Sequence, residues 1–244
     1  ACSSVLLLLM MRMKREPLRL KEKKDYVLII VTGMILAVHW TTFFQSIQVS
    51  SVAIGTITFS TFPLFLTFLE PLVFHEKLYK QSVIGAMLLM IGVFITIPEF
   101  SIGNQTTVGI IWGMICSLTY AFLTLANRYF SDKYDGKLIC FYEQGTAAIV
   151  LIPALFFVNV HWRRQDIVGV AFIGFVCTAF AYTLYVDAQK KVKAQTAGLI
   201  SGMETVYGIL YALIFLGEIP TIREVIGGMM ILGVALFCSI QKNN

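Results

Sequence analysis

Residues 14–48 read KREPLRLKEKKDYVLIIVTGMILAVHWTTFFQSIQ. Charged side chains crowd the stretch 14–25, and 26–48 holds no Asp, Glu, Lys or Arg. An α-helix rises about 1.5 Å per residue, so about twenty apolar residues cross the hydrocarbon core of a bilayer. The change at Tyr26 therefore reads as a boundary between water and lipid. Working outward, similar runs are read at 52–74, 82–98, 108–128, 138–158, 167–186, 194–216 and 225–240. Together they predict eight spans. Residues 1–13, ACSSVLLLLMMRM, read as the tail of a further span, too short to cross alone. A β-barrel would show alternating segments of about ten residues. These runs are continuous, so the expected fold class is an all-α membrane protein, a polytopic helix bundle.

Composition agrees. Of 244 residues, 57% are hydrophobic and 14% charged, with mean hydropathy +0.78. A soluble domain carries about a quarter charged residues, so this chain cannot cover a water-facing surface. Its first partner is the lipid bilayer. The net charge of +5 is explained by loop placement. When the loops are numbered alternately, one set holds 16 of the 19 Lys and Arg residues, and the other holds only Arg163, Arg164 and Arg223. Basic loops stay in the cytoplasm, which puts 14–25 and the C-terminus there. The basic run is then a topology signal, and no nucleic-acid partner is inferred from it. The five cysteines sit in apolar runs without CxxC or Cys/His spacing, and read as buried free thiols rather than metal ligands. No cofactor is implied. HExxH, a phosphate-binding Gly-rich loop and a GxSxG elbow are all absent from the sequence, so no enzyme is expected.

The chain also matches itself. HEKLYKQSVIGAM (75–87) aligns with GEIPTIREVIGGM (217–229) at an offset of 142, pairing Glu76 with Glu218, Val83 with Val225, Ile84 with Ile226, Gly85 with Gly227 and Met87 with Met229. By the loop rule the two copies face opposite sides of the membrane, which is the sequence mark of an inverted repeat.

These features resemble the drug/metabolite transporter superfamily, specifically its EamA-type exporters of ten helices in two five-helix repeats. The resemblance is carried by FSTFPLFLTFLEPLVFHEKL with IGAMLLMIGV in one half. In the other half it is carried by WGMICSLTYAFLTLANRYFSDK, TAFAYTLYVDAQKKVKAQTAGLISGMETVYGILYALIFLGEIPT and IGGMMILGV. It implies two inverted repeats, 1–98 and 108–244, the first truncated. About 45 residues, one span and part of another, would precede Ala1. The family's usual Pro after the ninth-helix Glu is replaced by Thr205. The implied activity is secondary transport by alternating access in a plasma (inner) membrane. An exporter of amino acids or other small metabolites is expected. A phosphorylated-metabolite or nucleotide-sugar exchanger of the same superfamily is the alternative, disfavoured because every Lys and Arg lies in a loop or at a span end. A non-transporting subunit or inactive remnant is a further alternative.

Polar residues inside spans indicate where chemistry could sit, because lipid penalises them. Five spans each carry one stripe of hydroxyl, aromatic or ionisable groups at helical spacing. These suit a substrate cavity lined by His39, Trp112, Tyr120, Tyr182, Glu204 and Tyr207. The competing reading is that Ser and Thr bond back to their own helices and Tyr residues lie at interfaces. Glu204 is the sharpest candidate, being near mid-span on one helical face with Ser201, Tyr207 and Tyr211. A carboxylate there could take a proton or a substrate amine, making protons candidate partners beside the small-molecule substrate. His39 is its candidate titratable partner. Glu70 and Glu143, nearer the ends of their spans, rank lower. The GxxxG pairs Gly109/Gly113 and Gly198/Gly202 permit close helix approach, within the bundle or at a homodimer seam.

Overall fold

The run expected as one span over 52–74 is two helices with a break between them. Ser60 and Thr61 interrupt the ladder, and Pro63 sits in the first turn of the second helix, where a missing N–H breaks no hydrogen bond. The computed structural model describes residues 1–75, 77, 78, 80–96, 103–157, 163–190, 204 and 207–241, with backbone alone at 81, 82, 86, 89 and 235–241. Glu76, His161, Gly198, Ser201, Gly202 and Thr205 lie outside the described residues. So do the terminal Lys242 and Asn244.

The elements are α1 (Cys2–Met13), α2 (Lys23–Val49), α3 (Val52–Phe59), α4 (Phe62–Phe74), α5 (Lys80–Thr96), α6 (Gln105–Ser131) and α7 (Gly136–Leu151). A 3-10 turn, Ile152–Phe156, ends α7 at Pro153. Then come α8 (Arg164–Phe172), a π-helical segment (Ile173–Ala181), α9 (Tyr182–Ala188), α10 (Tyr207–Leu216) and α11 (Ile222–Gln241). No strand occurs among the described residues. Among the described residues, five helical stretches are long and apolar enough to cross a membrane, namely Lys23–Val49, Val52–Phe74, Gln105–Ser131, Gly136–Phe156 and Arg164–Ala188. The chain is an all-α membrane protein.

The described chain forms two compact units, each drawing on both halves of the sequence. Unit 1 is Ala1–Ala37 with Phe122–Val192, and unit 2 is Val38–Ala121 with Lys193–Asn244. In unit 1, α1 packs on α7 and on the π-helical segment. Leu7 and Met11 are buried with Ile29, Phe130, Leu138 and Ile139. Between helices in lipid, close packing replaces the hydrophobic effect as the source of cohesion. Small residues supply the approach. A Cβ on Gly33 would strike Thr146 and the Glu143 carbonyl, and one on Gly145 would meet Ser4, whose hydroxyl donates to the Phe141 carbonyl at 3.1 Å.

The loop end of unit 1 is tied by charge. Asp25 is fully buried and accepts from Tyr129 at 2.9 Å and Tyr134 at 2.6 Å, with Lys133 at 3.5 Å. Glu22 lies between Lys24 and Lys133, each at 2.9 Å. Hydrogen bonds from Lys24 and then Lys133 lower its pKa to about 2. Burial, and then the bond to Asp25, raise the Tyr134 phenol above its ordinary value.

Unit 2 is built on small and apolar residues. α5 and α11 run antiparallel, since Thr96 meets Gly227 while Gly92 meets Ile231. α3 is buried all round, and Ile54 and Ile57 join Val93, Ile110 and Ile231 in one apolar cluster. Glu218, singled out by the self-match, accepts from the Val52 N–H at 3.0 Å. It thus places a carboxylate at the positive N-terminus of α3. The Gly109/Gly113 pair works inside this unit, where Cβ atoms would overlap Ser50 and Thr58 respectively.

Apolar sequence context misleads for the cysteines. Cys116 and Cys140 are buried, but Cys2 and Cys177 are exposed. A membrane helix is apolar on its outer face too, so an apolar run does not imply burial.

Candidate functional site

Five of the six residues expected to line a cavity belong to unit 2, and Tyr182 belongs to unit 1. Within unit 2, His39 and Tyr120 come together with ring centroids 5.1 Å apart. Phe59 lies 5.7 Å from His39 and 4.9 Å from Tyr120. Phe62 lies 4.8 Å from Tyr120 and 5.5 Å from Phe59. Four helices, α2, α3, α4 and α6, supply this cluster and the break after Phe59 supplies its shape, because it lets Phe59 and Phe62 stack. His39 is buried, with Nδ1 3.1 Å from the Cys116 carbonyl. A carbonyl only accepts, so Nδ1 carries the hydrogen. This fixes the ring's orientation among the aromatics. Trp112, four residues before Cys116, is half-buried on α6.

Glu204 and Tyr207 do not enter the aromatic cluster directly. Glu204 is helical and exposed, and Tyr207 and Tyr211 are 54% and 58% exposed. α10 packs through its other side, with Gly208 against Thr56 and Ala212 buried. The stripe thus faces lipid or an aqueous opening.

Most hydroxyls in the stripes are spent locally. Thr32, Thr56, Ser60 and Thr67 each donate to the carbonyl four residues back. Such back-bonding satisfies a hydroxyl without a ligand. Ser46 is different, donating across to the Gly109 carbonyl at 2.7 Å.

Unit 1 holds a second polar site that the sequence ranked low. Glu143 is fully buried, and its Oε2 accepts from Tyr182 at 3.4 Å. Asn127 Nδ2 donates to the same Tyr182 oxygen at 3.0 Å. The neighbouring Gln144 donates Nε2 to the Thr178 carbonyl at 3.2 Å. Thr178 lies in the π-helical segment, whose end is marked by the Tyr182 N–H bonding to the Cys177 carbonyl. Where the spacing reverts to α-helical, a carbonyl leaves the ladder and becomes free to accept from a side chain. Such π segments often occur at functional sites. The sequence signal for this site is threefold: a Glu-Gln pair inside a span, an Asn inside the span before it, and tyrosines in the span after it. Ranking by distance from the span's edge hid it.

Sequence comparison adds the family. The chain matches the EamA-like transporter family over residues 1–97 and 107–240. The uncharacterized transporter YxxF of Bacillus subtilis is 25% identical over 223 residues, covering 88% of this chain and 70% of that one. The uncharacterized inner membrane transporter YicL of Salmonella typhimurium is 22% identical, covering 91% and 76%. An S-adenosylmethionine uptake transporter of Rickettsia bellii is 21% identical, covering 89% and 74%. A solved crystal structure superposes with a TM-score of 0.72 at 15% identity, covering 99% of this chain and 85% of that one, which shows a shared fold. The chain belongs to the EamA-like transporter family. It is a membrane transporter by family, sits in a lipid bilayer and takes a small-molecule substrate.

Proposed function

We propose that this chain is a secondary carrier of a small, amine-bearing metabolite such as an amino acid, working outward across a plasma (inner) membrane by alternating access. The carrying observation is the family match over both halves of the chain. Residues 1–98 and 108–244 serve as inverted repeats, a design whose halves can exchange conformations to open opposite faces. Glu204 is the coupling carboxylate, with His39, Trp112, Tyr120 and Tyr207 as substrate-facing groups in unit 2 and, by itself in unit 1, Tyr182. A carboxylate suits a cationic amine, and aromatic faces suit the same charge. The S-adenosylmethionine carried by one relative bears an amine and a sulfonium, both positive. A proton and an amine competing for one carboxylate give a simple basis for antiport. Direction then follows the gradients rather than the site.

Flux into proteoliposomes tests this, with a panel of amino acids and S-adenosylmethionine, with and without a pH gradient. Saturable, gradient-dependent flux is expected in the wild type. Glu204→Gln keeps size and hydrogen bonding but cannot titrate. Its flux should fall to background, with its pH dependence lost. Wild-type flux with the same pH profile in this variant would reduce Glu204 to a packing residue. No flux from any chain would favour a non-transporting subunit. The C-terminus and Lys23 belong on the cytoplasmic side. On a cysteine-free background in intact cells, an impermeant thiol reagent should label Gln105→Cys and spare Lys23→Cys. The reverse pattern overturns the orientation.

A further inference from the structure

The Glu143 cluster is rich in acceptors and poor in donors. Glu143 Oε1 has no hydrogen-bond partner, and neither do Asn127 Oδ1, Gln144 Oε1 or Thr183 Oγ1. Three of these four atoms can only accept, and the Thr183 hydroxyl can also donate. The two amide nitrogens are committed elsewhere, to Tyr182 and to Thr178. Among the described residues no Lys, Arg or His forms an ion pair with Glu143. An ionised carboxylate would therefore lie unpaired inside a membrane span, with a single long hydrogen bond from Tyr182.

We propose that Glu143, with Tyr182 and Asn127, forms a proton-binding site inside unit 1, occupied by one proton at neutral pH. The proton adds to the carboxylate to give a neutral acid, whose O–H supplies the missing donor. It leaves again as a proton, with no other bond made or broken. The hydroxyl order favours a proton over a metal ion. Asn127 donates into the Tyr182 oxygen, so the Tyr182 hydrogen points at Glu143 Oε2, where a metal cation would be repelled. The titratable groups around Glu143 are Cys140 on its own helix and Tyr182 and Tyr185 on α9. Asp187, further along α9, is held by the Gly136 N–H at 2.8 Å and Lys190 at 3.0 Å. α6 contributes the neutral Asn127, α2 approaches through Gly33, and α1 approaches α7 through Ser4. The site deepens the carrier reading by adding a second proton-binding carboxyl, in unit 1, to the Glu204 of that reading, and it depends on that reading only for its use in transport.

Infrared difference spectroscopy on the purified full chain in lipid nanodiscs, titrated from neutral to alkaline pH, reads the site without a substrate. The wild type should show a carboxylic-acid C=O band that is lost on the alkaline side. Glu143→Gln should lack it and Glu204→Gln should keep it. Gln mimics the protonated acid, so the fold should hold. Glu143→Asp, which keeps a carboxyl, should show the band displaced. Tyr182→Phe should move the band to higher frequency, because it removes a hydrogen bond to the carbonyl. A band equal in wild type and Glu143→Gln, or unmoved by Tyr182→Phe, overturns the proposal. So does a band erased by sodium chloride but not by choline chloride at fixed pH, which would make the site a metal-cation site. A chain that shows the band but no flux would break the carrier reading alone.

Discussion

Glu143 and Glu204 are both carboxylates within apolar runs, and the two units treat them in opposite ways. Unit 1 encloses Glu143 completely, among amides and a phenol. Unit 2 leaves Glu204 exposed, on the same side of its helix as two exposed tyrosines. The wider surroundings differ in the same sense. Unit 1 is fastened by polar groups, including the Asp25 network at its loop end and the Glu143 cluster. Unit 2 is fastened by small residues and rings, with Gly92 against Gly227, Gly113 against Thr58, and Phe59 and Phe62 around Tyr120. A buried acid without a cation favours its neutral form, whereas an accessible one can meet a charged ligand. The difference separates two jobs that position in the sequence could not distinguish.

The comparison can be broken at several strengths. The largest effect belongs to Glu204→Gln, which should abolish flux without harming the fold. Next is Gly113→Leu in unit 2. A side chain there overlaps Thr58 at a helix crossing, and overpacking should cost about 3 kcal/mol, read as a lowered midpoint in detergent unfolding. An unchanged midpoint would show that unit 2 does not depend on close approach. In unit 1, Asp25→Ala should cost about 2 kcal/mol, because it strands the Tyr129 and Tyr134 hydroxyls away from a fully buried acceptor. The smallest effect is expected from Glu22→Gln. This carboxylate is 43% exposed, so solvent and salt screen its pairs with Lys24 and Lys133. Its pKa is lowered from 4.5 to about 2, so what it contributes is present above pH 4.5 and lost as pH falls toward 2. The difference between wild type and variant should shrink over that window and also in high salt. A difference that grows on acidification would reverse the sign of the argument.

Much of the fold was legible because lipid imposes simple rules. Uncharged runs had to be helices, and the observed helices at 23–49, 105–131 and 222–241 extend the expected runs by a few residues at their ends. Those extra residues are mixed, from Lys23, Lys24 and Gln105 to Phe130, and some of them, Asp25, Thr107 and Phe130 among them, are buried within the protein. Pro63 marks the break at Ser60–Thr61 in the sequence, as a residue that kinks or ends a helix. The site was legible in part. His39 and Tyr120 were chosen as ionisable or aromatic groups at helical spacing, and they do meet. The hydroxyls chosen by the same rule mostly bond to their own backbone, since Thr and Ser can reach the carbonyl four residues back.

The sequence by itself determined that this chain is a helical membrane protein. No other structure lets so long an apolar run satisfy its backbone in lipid. It also carried the self-match at an offset of 142 and the stretches, 1–97 and 107–240, that match the family. Only the tertiary structure decided which acids are buried and which are exposed. A side chain's surroundings depend on the helix that crosses it, and crossings such as Gly33 over the Glu143 carbonyl are set by close packing between distant stretches. It also decided that Glu143, a residue near the edge of its span, would be a fully buried acid with one oxygen that has no hydrogen-bond partner among the described residues. Hydropathy records how deep a residue sits along its own helix and carries no information on its neighbours from other helices.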